Sequence, residues 1–416
     1  MFFDRDKWQE IFGTIRKHKL RTALTAFGVF WGIFMLVFIL GMGAGLENGV
    51  FRDFGDRATN CLYAQPWRTS LPYNGFPPGR RPQFSLEDIE VLKAKIPELG
   101  KIATRYSLYD SPMSRGDKND RWELRGELTG MIDIEALKLF KGRYLSQRDI
   151  DERRKVAVIG NQIADVLFGE EDPIGKHILI RGVDFIVIGV YGPQIIKPWT
   201  ESDQKSAVIP LPTMSTSFGT RDKIEYFVCT PIDGFPVSEL EEKVKGILKE
   251  IHNVHPDDKQ GIGSWNMEEE FKMITGLFTG IRGFLWFVGI GTLLAGIIGV
   301  SNIMLIIVKE RTKEIGIRKA LGAKPGSIIN MILTESIFLT SISGYLGLAV
   351  GTLVVFVADQ LVILSGDNIE NYHHPEVNAT VGILAVVTLV VAGTFAGLIP
   401  ALQASRVNPV VALKDE

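Results

Sequence analysis

Residues 296–326 read GIIGVSNIMLIIVKERTKEIGIRKALGAKPG, and their order decides the architecture. An apolar run ends at Val308. A charged segment follows at once, with six basic and two acidic residues between Lys309 and Lys324, and a second apolar run then begins. Working outward, four stretches carry no charge: Thr22 to Leu46, Gly283 to Val308, Ser336 to Ala358 and Val377 to Ser405. Each reaches the ~20 residues that cross a hydrocarbon core of roughly 30 Å. The net charge of −2 averages segments of different character. Arg5, Lys7, Arg16, Lys17, Lys19 and Arg21 precede the first run against three acids, while the loop after the third run holds Asp359, Asp367, Glu370 and Glu376 with no Lys or Arg. Positive flanking charge marks the cytoplasmic side. Both termini and the 309–327 segment are therefore expected in the cytoplasm, with 47–282 and the 359–376 loop outside. The first run is too long for a signal-peptide core and is expected to be retained.

These features predict an integral membrane α-helical protein of four transmembrane helices, at 21–46, 283–308, 328–358 and 377–405. A large α+β extracytoplasmic domain, residues 47–282, is inserted between the first two. Ahead of the first span, Trp8, Ile11, Phe12 and Ile15 follow helical spacing, which predicts a short amphipathic helix in the cytoplasmic interface over residues 1–20. In 47–282, strand patterns at Ala58 to Trp67, Ile102 to Tyr109, Ala207 to Leu211 and Ile224 to Cys229 alternate with helices at Leu86 to Ile96 and Val237 to Ile251. Between them lies a β-rich texture with a helix near Ile163 to Phe168 and a hairpin turning at Arg181-Gly182. The expected partition is α+β flanks, about 58–112 and 205–275, around a β-rich insert of about 113–204. A cytoplasmic tail, 406–416, ends the chain.

No constellation for catalysis appears. The closest approach to a phosphate loop, Gly169 to His177 (GEEDPIGKH), has the wrong spacing and three acids that would repel phosphate, and it reads as a turn. His373-His374 sits beside Glu370 and Glu376, where a metal site is the alternative, but adjacent histidines point different ways and the pair reads as a solvated loop. His252 and His255 resemble half of a zinc motif but lack the Glu that would serve as base. With 32 basic and 36 acidic residues, 47–282 implies no nucleic-acid face. Cys61 and Cys229 both fall in this segment. An oxidising exterior would permit a bridge, and two buried thiols remain the simpler reading.

The spans hold small-residue pairs, among them Gly28/Gly32 and Gly347/Gly351, which let helices approach closely in lipid and suit a bundle that dimerises. Ser301 and Asn302 are polar residues inside the second span, suited to interhelical hydrogen bonds. Only Glu335 puts an ionisable group into a span, near its cytoplasmic end. Transport of ions or polar solutes through the bilayer usually keeps such groups at depth, so the spans read as a lever. In 309–327, Glu314 and Arg318 are spaced to pair, and Ile317, Ala320 and Leu321 form one apolar edge. From charge alone, a connector that merely keeps positive residues inside explains the segment equally well.

Further residues carry a resemblance. Asn302 to Leu305, Glu310 to Thr312, Glu314 to Arg318, Ala320 and Gly322-Ala323 resemble the permease core of the MacB-type, FtsX-like ABC transporters. Val156 to Gly160, Leu167 to Gly169, Asp172 to Lys176 and Phe185 to Val190 resemble the family's outer domain. Pro400-Ala401, Ala404-Ser405 and Asn408 to Leu413 resemble its C-terminal block. The resemblance implies that Lys309, Glu310, Arg311, Glu314, Ile315, Arg318, Lys319, Ala320, Gly322 and Ala323 couple the chain to an ATPase. Because the chain starts shortly before its first span, that ATPase is expected to be a separate ABC subunit, which binds ATP and Mg while this chain binds no cofactor. The further implied partners are a second permease copy or paralogue, the lipid of an inner membrane, and a periplasmic adaptor with an outer-membrane channel. The implied function is export of a drug, peptide or other periplasmic substrate by transmitted motion. Lipoprotein release, or FtsX-like regulation of a cell-wall hydrolase, stands as the alternative.

Overall fold

The computed structural model describes residues 19–54, 58–135, 137–193, 200–365, 372–377 and 379–408. The interfacial helix expected around Trp8, Ile11, Phe12 and Ile15 lies outside them, as do residues 366–371 of the acidic loop and the end of the tail. The chain divides into two compact units, Phe54–Thr275 and the remainder.

In the helical unit, the described residues include four helices long and apolar enough to cross a membrane. They run over Lys19–Phe54, Met267–Glu310, Pro325–Leu364 and Ala379–Ser405. A helix satisfies its own backbone polar groups, the condition lipid imposes. The second helix starts far ahead of the apolar run at Gly283. Asn266 Oδ1 accepts the amides of Glu268 (3.1 Å) and Glu269 (3.2 Å), which caps the helix, and three acids fill its first turn. The polar stretch after Met267 is thus helix, because a cap and favourable N-terminal charge start it and nothing breaks it.

The glycine pairs mark helix crossings within this one chain. A Cβ added at Gly296 would stand 2.8 Å from Gly28 O, and one at Gly32 would stand 3.2 Å from Leu293 Cα. At Gly347 it would stand 2.5 Å from Phe30 O, and at Gly351 3.1 Å from Val37 Cβ. Gly347→Val is therefore expected to cost on the order of 1–3 kcal/mol through a clash with backbone. Gly276→Val, where the space is open, should be close to neutral. Thermal unfolding of the two detergent-solubilised variants checks this. Ser301 is buried. Asn302 is not: it is exposed. Gly296, Val300, Met304 and Ile307 form the buried stripe, and Asn302 lies two residues past Val300, on the other side of the helix.

In the α+β unit, one sheet takes the order β12-β1-β11-β3-β4-β9-β6-β8-β5, with β7 pairing β3 and β8. These strands are β1 (Leu62–Pro66), β3 (Leu99–Arg115), β4 (Lys118–Glu127), β5 (Leu137–Gly142), β6 (Val156–Gly160), β7 (His177–Ile180), β8 (Val183–Pro193), β9 (Ser206–Pro210), β11 (Tyr226–Pro231) and β12 (Ile262–Asn266). A separate pair joins β2 (Phe84–Ser85) to β10 (Lys223–Ile224). The boundary expected near residue 113 falls inside β3. That strand pairs β11 through Ile102–Arg105 and then β4 from Arg105 onward, so flank and insert share a continuous ladder. They also share a core, in which Leu62, Phe84 and Leu92 join Ile159, Phe185 and Leu240. The hairpin at Arg181-Gly182 forms as β7–β8, with both turn residues at positive φ. Cys61 and Cys229 are buried thiols, and Cys61 Sγ donates to Ala58 O. The two thiols belong to different core clusters on the two faces of the sheet, so no bridge links them.

A chain of buried charges crosses the middle of this sheet. Arg105 Nε donates to Glu127 Oε1 at 2.7 Å and its Nη2 to Glu135 Oε2 at 2.8 Å, and Tyr144 OH donates to Glu127 Oε2 at 2.7 Å. Burial pushes the Glu127 carboxyl up. Two other carboxylates go the opposite way. Burial would raise Asp149, but hydrogen bonds from Arg143 and Ser146 outweigh it and hold the carboxyl at about 2. Asp258 is depressed against its own burial by the amides of Leu71, Gln260 and Gly261 and by Ser70. A depressed folded-state pKa contributes stability above the unfolded value of 3.8 that is lost as pH falls through the folded one. Asp149→Asn should therefore lower stability at neutral pH and flatten the loss between about pH 4 and pH 2. Thermal midpoints of wild type and variant across that range check the sign.

Candidate functional site

The charged stretch between the second and third long helices forms a helix of its own, Thr312–Ala320. The long helix stops at Glu310, and Arg311 takes a non-helical conformation at the junction. The short helix ends in a Schellman motif: Ala323 N donates to Arg318 O and Gly322 N to Lys319 O, each at 3.0 Å, with Gly322 at φ +94°. Lys324 then caps the third long helix, which has Pro325 in its first turn. Sequence explains each break, since Gly322 accepts the left-handed backbone and Pro325 needs no amide partner.

One face of this connector is tied to the bundle. Ile315 is 1% exposed, packed in the core shared with Ile328 and Ile332. Arg311 Nη1 donates to Glu335 Oε2 of the third helix at 3.2 Å, and its Nε donates to Glu314 Oε2 at 3.1 Å. Glu314 Oε1 accepts from Arg318 Nη2 at 2.9 Å, and Arg318 Nη1 points at Met331 Sδ, 2.8 Å away. Lys319 Nζ donates to the carbonyls of Ser405 (2.8 Å) and Val407 (2.7 Å), at the end of the fourth helix. The connector is thereby fastened to two long helices by charge-assisted bonds.

The other face is open. Ile317 is 44% and Leu321 84% exposed, and Lys309, Glu310, Lys313 and Ala320 are exposed with them. The residues expected to couple thus divide by position. Ile315 and Ala323 pack inward, Arg311, Glu314, Arg318 and Lys319 fasten, Gly322 turns the chain, and Lys309, Glu310 and Ala320 face out. Ile317 and Leu321 extend the outward set. Glu335 is a functional candidate that the motif does not include. Its signal is its singularity, because an ionisable group within a span calls for a partner, and that partner is Arg311. Among the described residues, no group of three or more His, Cys, Asp or Glu could hold a metal ion. His374 instead meets Asp359 at 2.8 Å and His373 meets Arg52 at 2.9 Å.

Residues 22–247, more than half of the chain, match the model of the MacB-like periplasmic core domain, and residues 286–409 match the FtsX-like permease C-terminal model. The chain belongs to the MacB-type, FtsX-like family of ABC transporter permeases. This permease is 29% identical to the pyoverdine export ATP-binding/permease protein PvdT of Pseudomonas aeruginosa, over 96% of the chain and 57% of the relative. It is 28% identical to the macrolide export ATP-binding/permease protein MacB of Bdellovibrio bacteriovorus, over 97% of the chain and 61% of the relative. The chain therefore spans about three fifths of the length of these curated relatives. Among solved structures, the periplasmic region of MacB from Actinobacillus actinomycetemcomitans aligns with a TM-score of 0.44 at 18% identity, covering 54% of this permease and 97% of that chain. The connector helix of this permease lies within the FtsX-like match.

Proposed function

We propose that this permease is the membrane-spanning subunit of an exporter driven by a separate ATP-binding subunit, and that Thr312–Ala320 is where the two meet. On this reading both termini and the connector are cytoplasmic and Phe54–Thr275 is periplasmic, in an inner membrane. ATP and Mg belong to the partner. The observation that carries the proposal is the two-sided connector: an outward apolar edge at Ile317, Ala320 and Leu321 on a helix fastened inward through Arg311–Glu335 and Lys319. A partner gripping the edge would move the connector, and the fastenings would hand that motion to the third and fourth helices. The matched relatives are named for export, which supports export as the direction here. The spans hold few ionisable groups, so work is done on the periplasmic unit and its cargo, with a second permease copy completing the pair of levers.

This reading separates grip from transmission. Arg311→Ala and Glu335→Gln should leave the outward edge in place, so binding of the ATP-binding subunit should change less than two-fold. Permease-stimulated ATP hydrolysis in nanodiscs should fall about five-fold or more, the scale of losing a charge-assisted fastening worth ~1.5–3 kcal/mol. Normal stimulation in both variants would overturn the transmission route.

A further inference from the structure

At the end of the helical bundle opposite the connector lies a cavity of about 460 Å³ between the first, second and fourth long helices. Its volume falls within the ~300–1,000 Å³ of small-molecule sites. Each of the three walls brings one charged residue and apolar residues to the cavity. The first helix lines it with Leu40 and then Glu47, about 10 Å further along at 1.5 Å per residue. The second lines it with Trp286 and Leu285 inward, Arg282 further out, and Ile281 and Phe278 beside and beyond that arginine; the fourth contributes Leu384, and the segment before it Glu376. The space itself depends on small residues: a Cβ at Gly43, on its wall, would come within 2.9 Å of Leu285 Cδ1.

The charges do not cancel. Arg282 pairs with Glu47. Glu376 is exposed and has no ion partner among the described residues. The rim therefore keeps one net negative charge above an apolar floor that includes an indole, whose face also attracts cations. We infer that this cavity binds a cationic amphiphile, an alkyl or aryl chain ending in a protonated amine. The amine sits at Glu376 and the chain lies against Trp286 and Leu384. The inference needs the chain to be in a membrane and is independent of the connector's role.

The test uses the full chain in phosphatidylcholine nanodiscs and a dodecylamine carrying a diazirine, with cross-linked residues mapped by mass spectrometry. Labelling should concentrate on 278–286 and 380–384, and dodecylamine should compete while dodecyl sulfate of equal length should not. Glu376→Gln should reduce labelling about five-fold or more, and Leu384→Trp, which fills the floor, should abolish it at unchanged thermal midpoints. If phosphatidylethanolamine in the disc competes, a lipid amine is the resident ligand; if it does not, a free amphiphile is. Labelling spread evenly over the four spans, unchanged labelling in both variants, or equal competition by the sulfate would overturn the inference.

Discussion

Ile317→Glu combined with Leu321→Glu is expected to abolish association with the ATP-binding subunit, weakening it by at least about 100-fold. In the permease alone Leu321 is largely and Ile317 nearly half in solvent, so the substitution costs the permease little. In the complex each would lose its apolar burial, worth ~1.5–3 kcal/mol for a fully buried aliphatic side chain, and would bring a charge into the interface. Scaled to the exposed shares, the two losses come to roughly 2–4 kcal/mol, and the buried charges carry the total past the ~2.8 kcal/mol that a 100-fold change requires. Titration of the solubilised permease with the ATP-binding subunit measures the effect, and the thermal midpoint of the permease alone should stay within a degree or two. Affinity within two-fold of wild type would remove the connector edge as the grip. Alongside Arg311→Ala, the double variant tells a lost grip from lost transmission, since only the first dissociates the complex.

Arg105→Ala should be the most damaging single change in the α+β unit, at ~3–5 kcal/mol, the usual cost of stripping one partner from a buried ion pair. Arg105 and Glu127 have side chains 8% and 0% exposed, and Arg105 also holds Glu135. Without the guanidinium, Glu127 keeps Tyr144 as a donor but loses its counter-charge. A drop of about 10 °C in the thermal midpoint is expected for a unit of this size. The sign of its pH dependence identifies the cause. Burial already raises Glu127, and a protonated Glu127 needs no counter-charge, so the deficit should shrink as pH falls. Arg105→Met with Glu127→Leu should recover much of the loss, because an apolar pair can replace a buried ion pair. A deficit independent of pH would point instead to lost packing.

Much of the fold was legible from local patterning. The helices at Leu86–Lys95 and Val237–Ile251 and the β7–β8 hairpin follow from a capping Ser85, an amphipathic period and a turn pair. The four spans follow from uncharged length. Other features depend on long-range contacts and leave no local trace. Asn302 shares the polarity of Ser301 but not its burial, because 100° of helix rotation separates adjacent residues. The division expected at residue 113 follows a change of texture, yet β3 carries the ladder straight through it. Asp258 reads as one acid among several in a loop, and only the folded chain brings Ser70 and Leu71 to it.

For the connector, sequence alone determined a charged helix between two spans, its stops at Gly322 and Pro325, its Glu314–Arg318 pairing and its apolar edge. These depend on neighbours within one or two turns, which the order of residues specifies. Tertiary structure decided which residues face out and which hold on. Arg311 finds Glu335 and Lys319 finds the end of the fourth helix only because three helices meet there. The same holds for the cavity at the other end of the bundle, where Leu40 and Glu47 matter because Trp286, Leu384 and Glu376 reach the same space from elsewhere in the chain. A charge's partner is set by burial and distance, and those exist only once the chain has packed.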